Sequence, residues 1–306
     1  MKFICAQPAI PYYTWQVEVM INNFISHGIN PNDIHILCAH YGQIPQAWVK
    51  LQEANKDVKF FFYQDTRGDH SYIPSIYFNM MKQHIKAHPE LQYEPLFLHD
   101  CDIILTRPID FSSMLHDKVW YLSDTVGYIG TQYILTKGED VYLKMCKVIG
   151  IDPLIPKLMN SNSGGAQHLV KNTTYEYWDK VEKDSIKLYA HLCEEEPKWK
   201  ESVYPIQKWT AGMWSLLWNA WLFGHETKVD KRLDFCWATD PMFRWEQAPI
   251  FHNAGVTEDR KDLFFKGAYI GKLPYDEIKQ DQINDKFCSY KYVEELVKTS
   301  KISILR

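Results

Sequence analysis

Two aspartates separated by one residue are the clearest chemical feature of this 306-residue sequence. Asp100 and Asp102 follow the apolar run 96–98 and precede another apolar run, 103–105. Residues two apart in an extended backbone point to the same side, so the two carboxylates are expected to converge at a strand end. A divalent cation would relieve their repulsion, and it could bind a diphosphate and stabilise the charge that develops when the diphosphate leaves. The alternative is that both aspartates merely form the turn that ends the strand.

Short apolar runs alternate with amphipathic segments before these aspartates. The pattern predicts strands at 2–6, 34–39, 58–63 and 96–98, and helices at 13–26, 45–54 and 73–87. Such alternation predicts an α/β fold with a mixed, mostly parallel sheet flanked by helices. Ligands of these sheets bind beyond the carboxyl ends of the strands. The candidate contacts at or near those ends are Ala6, Gln7, Tyr12, Asp65, Arg67 and Asp100.

The second half of the sequence is less regular. Strands are expected at 119–123 and 130–135, and residues 209–223 predict a buried helix because they are apolar nearly all round. The absence of a Gly/Ser linker predicts a single domain with two lobes. The predicted organisation is a main domain at 1–270, divided into lobes at 1–110 and 111–270, and a C-terminal helical packing tail at 271–306.

Composition argues against several classes of protein. The net charge is −4, so a broad phosphate-binding surface for nucleic acid is not supported. No apolar run approaches the about 18–20 residues of a membrane-spanning helix, so no membrane anchor is expected. The seven cysteines are scattered and form no CxxC pair, which favours free thiols in a reducing cytoplasm.

The layout resembles that of GT-A glycosyltransferases, nucleotide-sugar-dependent enzymes whose DxD motif binds Mn²⁺ or Mg²⁺. Asp100-Cys101-Asp102 matches that motif in sequence and in position. Three further segments resemble the retaining, galactosyltransferase-like branch of the family. Asn162-Ser163-Gly164-Gly165 resembles the segment that faces the donor sugar, and His252-Asn253-Ala254-Gly255 resembles the HxxG motif that supplies a third metal ligand. Lys266 resembles the lysine that touches the diphosphate.

The resemblance implies a glycosyltransferase that moves a sugar from a nucleotide-diphospho-sugar, expected to be a UDP-sugar, to an acceptor hydroxyl. Asp100, Asp102 and His252 would hold Mn²⁺ or Mg²⁺. Asn162, Ser163, Gly164, Gly165 and Lys266 would contact the donor. Residues 1–110 would form the nucleotide-sugar-binding lobe and residues 111–270 the acceptor lobe.

One departure from the family leaves the stereochemistry open. The acidic segment expected between the glycine pair and the histidine is replaced by the aromatic stretch 209–214, so retention, which the resemblance favours, and inversion both remain. An inverting enzyme needs a carboxylate to deprotonate the acceptor. The candidates are Asp240 and Glu246, which lie near Trp237 and Trp245, whose aromatic faces suit sugars or bases. The acceptor stays open among a glycan, a lipid-linked sugar, a protein and a modified DNA base.

Each candidate residue also has a purely structural interpretation. His252 could be a packed core histidine, the glycine pair a plain turn, Tyr12 a core aromatic, and Asp65 and Arg67 a surface turn. Two alternative functions follow for the whole chain. A sugar-phosphate nucleotidyltransferase would need a glycine-rich loop after the first strand, where this sequence has none. A non-catalytic nucleotide- or carbohydrate-binding protein would keep the site without the reaction.

Overall fold

The computed structural model describes residues 1–196 and 205–306 and has a mixed α/β fold. The strands of the described residues are β1 (Lys2–Pro8), β2 (Ile34–His40), β3 (Lys59–Gln64), β4 (Leu96–Leu98), β5 (Ile103–Leu105), β6 (Trp120–Asp124), β7 (Gly164–Val170), β8 (Thr227–Val229), β9 (Phe235–Trp237) and β10 (Ile250–His252). The α-helices are α1 (Pro11–Ser26), α2 (Gln46–Ala54), α3 (Ser75–Ala87), α4 (Val126–Ile129), α5 (Thr131–Leu135), α6 (Glu139–Ile149), α7 (Leu154–Leu158), α8 (Tyr175–Glu195), α9 (Ala211–Leu222), α10 (Phe243–Gln247) and α11 (Ser289–Ser300).

The strands form two sheets. The larger sheet has the order β3-β2-β1-β4-β7-β6-β8, and the smaller sheet has the order β5-β10-β9. β1, β2 and β3 pair in parallel, as do β6 and β8, whereas β7 runs antiparallel to β4 and β6. Helices flank the larger sheet. The prediction of a mixed, mostly parallel sheet flanked by helices is therefore confirmed.

The backbone divides into two compact units. The first unit comprises Lys2–Gln64, His99–Phe111 and Lys231–Arg306, and the second comprises Met1, Asp65–Leu98 and Ser112–Asp230. The predicted functional lobes at 1–110 and 111–270, and the packing tail, stay predictions. Within 271–306 the α-helix covers Ser289–Ser300.

The core of the first unit lies between α1, the smaller sheet and α11. Trp15 of α1, Phe251 of β10 and Tyr292 of α11 are fully buried members of this cluster. Pro11 begins α1, where its missing N–H costs nothing and its fixed φ suits the helix. Gly28 follows the helix with φ +86°, a left-handed conformation that favours glycine. This packing holds the smaller sheet, which carries the candidate site.

The core of the second unit is built around α9. Trp214, Trp218 and Trp221 of this helix are buried in one cluster with residues of α5, α6 and α8. The prediction that the apolar helix would be buried is therefore confirmed. In residues 1–196 and 205–306, no helix combines the length and the apolar character that a membrane crossing requires.

The expected strand at 130–135 is wrong. Residues Thr131–Leu135 form the short helix α5, which Gly130 precedes in an extended conformation. Thr131 and Ile134, three residues apart, are both buried, and this is helical spacing rather than the alternation of a strand. The Thr131 hydroxyl donates to the Pro156 carbonyl at 2.7 Å. Side-chain type suggested a strand here, but tertiary packing selected the helix.

Candidate metal centre

Asp100, Asp102 and His252 bring their side chains together in the first unit. One ligand atom from each lies within 4.8 Å of the other two. The imidazole Nε2 of His252 is 3.6 Å from Asp100 Oδ2 and 3.4 Å from Asp102 Oδ1. The Asp100 side chain is 55% exposed, whereas that of Asp102 is only 7% exposed. The group therefore has one carboxylate at the surface and one in the interior.

The smaller sheet explains how distant parts of the sequence meet. Asp100 and Asp102 lie in the turn between β4 and β5, not in extended backbone, so the turn rather than strand alternation brings them together. β5 pairs antiparallel with β10, and this register places His252 opposite Ile103, the residue after Asp102. The backbone N–H of Asn253 donates to the Asp102 carbonyl at 2.9 Å. This bond ties the turn to the end of β10.

Lys266 adds a positive charge to the group. It begins a 3₁₀ turn, Lys266–Tyr269, and its ammonium hydrogen-bonds the Asp102 carboxylate through Oδ2. The Lys266 side chain is 29% exposed, so the ammonium lies at the edge of the site rather than deep inside it. Lys266, which the sequence predicted as a diphosphate contact, thus lies beside the predicted metal ligands.

These neighbours control the charge of the buried carboxylate. Burial disfavours the charged form of Asp102, but Lys266 and His252 outweigh it and hold its pKa well below the usual range. Burial also disfavours the charged forms of Lys266 and His252, yet Asp102 raises the pKa of both. Asp102 is therefore ionised throughout the physiological range, as a metal ligand must be.

The donor set suits a divalent cation of the Mn²⁺ or Mg²⁺ kind. Two carboxylates supply oxygen, and His252 supplies an imidazole nitrogen. Oxygen ligands are preferred by Mg²⁺ and Mn²⁺, and imidazole is acceptable to the softer first-row metals. The residues present therefore fit a metal site of the DxD type, and their chemistry does not select one metal.

The other candidates of the first unit lie at the carboxyl end of β1 and just after it. Ala6 is half-buried within the strand, and the Gln7 side-chain amide donates to the Leu37 carbonyl at 3.0 Å. Tyr12, near the start of α1, is half-buried with its ring 4.9 Å from that of Tyr13 in an edge-to-face contact. Their contact with a nucleotide stays a prediction.

The two candidate bases have different environments. Asp240 accepts the backbone N–H of Trp237 through Oδ2 at 2.9 Å, and so closes a turn at the end of β9. Glu246 is exposed on α10, and its backbone carbonyl accepts from Arg107. The structure thus gives Asp240 a structural task, and the catalytic role of either carboxylate stays a prediction.

Asp65 and Arg67 of the second unit form a buried ion pair. Arg67 Nη2 is 2.7 Å from Asp65 Oδ2, and the two side chains are 3% and 0% exposed. The same guanidinium donates to the carbonyls of Tyr72 and Ile73 and to the Ser75 hydroxyl, at 3.0–3.2 Å. The pair is therefore not the surface turn that was considered as an alternative. Its contact with a donor stays a prediction.

The glycine pair of the second unit begins β7. A Cβ on Gly164 would lie 2.3 Å from Leu122 Cβ, and a Cβ on Gly165 would lie 2.6 Å from the methyl carbon of Met213. Both positions therefore have a packing reason to be glycine. The Asn162 carbonyl accepts from Thr227 at 3.3 Å, and the carbonyl of buried Ser163 accepts from Thr125 at 3.4 Å. The expected contact of this segment with a donor sugar stays a prediction.

The structure is similar to those of three solved glycosyltransferases. The bifunctional glycosyltransferase WbbM matches 97% of this chain over 49% of its own, with a TM-score of 0.49 and 9% identity. Glycosyltransferase GlyE from Streptococcus pneumoniae TIGR4 matches 98% over 61%, with a TM-score of 0.42 and 13% identity. Mouse xyloside xylosyltransferase 1 matches 82% over 97%, with a TM-score of 0.42 and 8% identity. The chain therefore spans less than two thirds of WbbM and of GlyE. No family model and no curated protein matches the chain.

Sequence reasoning did not connect Trp237 with His252. The Trp237 indole stacks on the His252 imidazole, with ring centroids 5.0 Å apart and an angle of 27° between the planes. The sequence suggested Trp237 only as an aromatic face for sugars or bases. The signal that could have linked the two residues is a pair of three-residue apolar segments, 235–237 and 250–252, each too short to show a strand period.

Proposed function

We propose that the protein is a metal-dependent glycosyltransferase that moves a sugar from a nucleotide-diphospho-sugar, a UDP-sugar in the first instance, to an acceptor hydroxyl. The observation that carries this proposal is the convergence of Asp100, Asp102 and His252, with Lys266 bonded to Asp102. These residues come from three separate parts of the sequence. The aspartates follow β4 and His252 ends β10, so the group lies at strand ends, where ligands of α/β proteins bind.

The charges of the site suit a diphosphate. Asp100 and Asp102 with His252 would hold the cation, and Lys266 would donate to a phosphate oxygen from the edge of the site. When bound, the cation supplies positive charge that stabilises the diphosphate as it leaves. The exposed position of Asp100 provides an entrance from solvent. A purely structural ion-pair cluster would have no need of an exposed second carboxylate.

The bond changes follow from glycosyl transfer. The bond from the anomeric carbon to the diphosphate oxygen breaks, and its electron pair stays on the diphosphate. A bond forms from the acceptor oxygen to the anomeric carbon, and the acceptor proton leaves. With retention, the departing phosphate can take this proton; with inversion, a carboxylate must take it, and Asp240 or Glu246 is the candidate. We favour retention, because the resemblance favours it and because the Asp240 carboxylate, one of the two candidate bases, is already engaged by the Trp237 backbone.

The donor contacts and the location of the reaction belong to the same proposal. Ala6, Gln7, Tyr12, Asp65 and Arg67 are proposed to contact the nucleotide, and residues 162–165 to contact the sugar. The acceptor is a glycan, a lipid-linked sugar, a protein or a modified DNA base. We place the reaction in the cytoplasm, because all seven cysteines are free thiols and disulfides persist mainly in oxidising compartments.

Nucleotide release tests the proposal. The protein is incubated with a panel of UDP-, GDP- and ADP-sugars, with and without Mn²⁺, and the free nucleotide is measured. We expect Mn²⁺-dependent release from one donor of the panel. Asp102→Asn should abolish it. Asp33→Asn, at the amino end of β2 and therefore at the opposite strand end, is the matched control and should leave release unchanged.

The alternatives give different results in the same experiment. A non-catalytic binding protein would be stabilised against heat by a nucleotide and Mn²⁺ without releasing nucleotide. A nucleotidyltransferase would instead form pyrophosphate from a nucleoside triphosphate and a sugar 1-phosphate. Either result, or Mn²⁺-independent release that survives Asp102→Asn, would overturn the proposal.

A further inference from the structure

We propose that Trp237 is a positioning residue that holds the imidazole of His252, by stacking, in the orientation in which Nε2 faces the two aspartates. This inference rests on the proposed function, because it assigns a task to a residue of the same site. It concerns how a metal ligand is oriented, and it makes a prediction about metal binding that does not depend on any substrate.

The register of the smaller sheet places the two rings together. β9 and β10 pair in parallel, and His252 lies directly opposite Trp237. Side chains of directly paired residues stand on the same face of a sheet. The centroids are 5.0 Å apart and the planes are inclined by 27°, which is a stacked arrangement rather than an edge contact.

The second nitrogen of His252 shows why a stack is needed. A metal-binding histidine usually donates its other ring N–H to a carboxylate, a carbonyl or water, and this bond fixes the ring orientation. Nδ1 of His252 is buried, and within residues 1–196 and 205–306 no group hydrogen-bonds to it. The usual hydrogen-bonded support is therefore replaced by an aromatic surface.

Trp237 is itself held firmly enough to act as that surface. Its backbone N–H donates to the Asp240 carboxylate, and its carbonyl accepts the Asp240 N–H at 3.1 Å. Its ring also meets the Phe235 ring edge to face, at 4.8 Å and 79°. Phe235 approaches His252 more loosely, at 6.1 Å and 54°. The turn closed by Asp240 thus has a consequence at the metal site, because it fixes the residue on which His252 stacks.

Loss of the indole should therefore weaken metal binding without removing a ligand. The freed imidazole would populate orientations in which Nε2 points away from Asp100 and Asp102, and binding would have to restore order. Changes to groups that orient metal ligands typically lower metal affinity by about 10–100-fold. We expect Trp237→Leu to weaken Mn²⁺ binding by about 10-fold, and Trp237→Phe, which keeps a smaller aromatic face, to weaken it less.

Titration of Mn²⁺ into the full chain, followed by the electron paramagnetic resonance signal of the free ion, measures this affinity without any donor. Trp245→Leu is the matched control. Trp245 packs on Phe251, the residue before His252 on β10, with ring centroids 5.5 Å apart and an angle of 51° between the planes. Its substitution therefore removes an aromatic contact from the same strand without touching His252. We expect this control to lower the urea midpoint and to leave Mn²⁺ affinity unchanged.

A double-mutant cycle separates orientation from general loosening. In a His252→Ala background there is no imidazole to orient, so Trp237→Leu should have no further effect on Mn²⁺ affinity. Wild-type Mn²⁺ affinity in a folded Trp237→Leu protein, or an equal loss with and without His252, would overturn the inference. If Trp237→Leu does not fold, the same cycle with Trp237→Phe decides, because a weakening that depends on His252 supports the inference and none overturns it.

This experiment also distinguishes the inference from the proposed function. A wild-type protein that binds Mn²⁺ in a Trp237-dependent way but releases no nucleotide from any donor would refute the glycosyltransferase and leave the positioning role intact. Donor turnover with unchanged Mn²⁺ affinity in the Trp237 variants would do the reverse.

Discussion

Two clusters of this molecule combine an aspartate, a basic side chain and a histidine, yet they differ in how completely their polar atoms are used. The closed cluster, in the second unit, consists of Asp65, Arg67 and His70. The open cluster, in the first unit, consists of Asp102, Lys266 and His252. Residue type alone assigns both to a ligand site, and the sequence did predict ligand contacts in both.

The closed cluster is saturated from within. Arg67 donates to Asp65, to two backbone carbonyls and to a hydroxyl, and His70 Nδ1 lies 3.3 Å from Asp65. The Asp65 side chain is fully buried. A network of this kind holds the chain between β3 and α3 in one conformation.

The open cluster has side chains that reach solvent and one polar atom that is not satisfied. Its neighbour Asp100 is exposed, Lys266 is partly exposed, and Nδ1 of His252 has no hydrogen-bond partner in the part of the chain that the structure describes. The two clusters therefore differ in how far their polar atoms are satisfied, a difference that residue type alone does not show.

Asp102→Asn is the most direct test of the open cluster. The amide keeps the shape but loses the charge that a divalent cation requires, so kcat/KM for transfer should fall by about 1,000-fold, or about 4 kcal/mol of transition-state stabilisation. The urea midpoint should fall, because Asp102 loses the charge that Lys266 and His252 stabilise, but the fall should be moderate because Lys266 is close enough to solvent to be hydrated. Steady-state kinetics and urea denaturation measure the two effects. A folded variant with wild-type kcat/KM would contradict the assignment.

Arg67→Ala should show the opposite pattern. It leaves the buried Asp65 carboxylate without its guanidinium, and breaking such a pair typically costs about 3–5 kcal/mol. The free energy of unfolding, measured by urea denaturation, should fall by this amount. Because Arg67 is also predicted to contact the nucleotide, the second measurement is Mn²⁺ affinity rather than turnover. The Mn²⁺ affinity should stay unchanged.

Arg260→Ala is the matched control for Arg67→Ala. Arg260 also pairs with an aspartate two residues away, Asp262, at 3.0 Å, but the two side chains are 36% and 44% exposed. Exposed ion pairs contribute little to the free energy of unfolding, so the urea midpoint of Arg260→Ala should equal that of the wild type. Equal losses of stability in the two arginine variants would show that the buried pair of the closed cluster contributes no more to stability than a more exposed pair.

The parts of this molecule that the sequence predicted are those encoded locally. β1, β2 and β3 are strands of six or seven residues that each contain an apolar run, and α1 and α3 have long amphipathic patterns. The DxD motif stands at a strand end that these runs define. The prediction was therefore possible from neighbours in the sequence alone.

The parts that the sequence could not predict depend on long-range register. β5, β9 and β10 have three residues each, too few for a period, and their pairing decides that His252 meets Asp102 and Trp237. The guanidinium of Arg67 is satisfied by the carbonyls of Tyr72 and Ile73, which come within hydrogen-bond distance only when the loop is folded. Sequence reasoning found the residue types in both clusters, and it had no means of telling saturated polar atoms from unsatisfied ones.

Two buried histidines differ in the direction of their pKa shift. Burial lowers the pKa of His168, whereas the neighbouring aspartates raise the pKa of His252 against the effect of burial. Burial lowers the pKa of His168 on β7 to about 4, where β4 and β6 place Leu98 and Leu122 opposite it. Below pH 6.5 the unfolded chain takes up a proton on His168 that the folded protein does not accept until about pH 4, so the stability of the fold decreases over this range. The loss by pH 4 should reach about 3 kcal/mol.

His168→Leu isolates this effect. The variant cannot take up a proton, so its free energy of unfolding relative to wild type should rise as the pH is lowered from 7 to 4. Urea denaturation at several pH values measures the difference. A constant difference across this range would show that His168 is not held neutral by burial.

Substitution of Gly164 tests whether the glycine pair is needed for packing or for contact with the donor sugar. Gly164→Ala would force a Cβ to 2.3 Å from Leu122 Cβ and 2.7 Å from the Ser123 carbonyl, so overpacking should cost about 1–3 kcal/mol of stability. Gly127→Ala is the matched control. No atom lies within 4 Å of its Cβ, and its place inside α4 predicts a gain of up to about 1 kcal/mol.

Nucleotide release from the donor, measured on the same two variants, then decides what the glycine at position 164 is for. A loss of stability with normal release means that packing between β6 and β7 alone requires it. A normal urea midpoint with reduced release means that the strands can yield to the added methyl group while a bound sugar cannot. In that case residues 162–165 contact a bound sugar, as the resemblance to the glycosyltransferases implies.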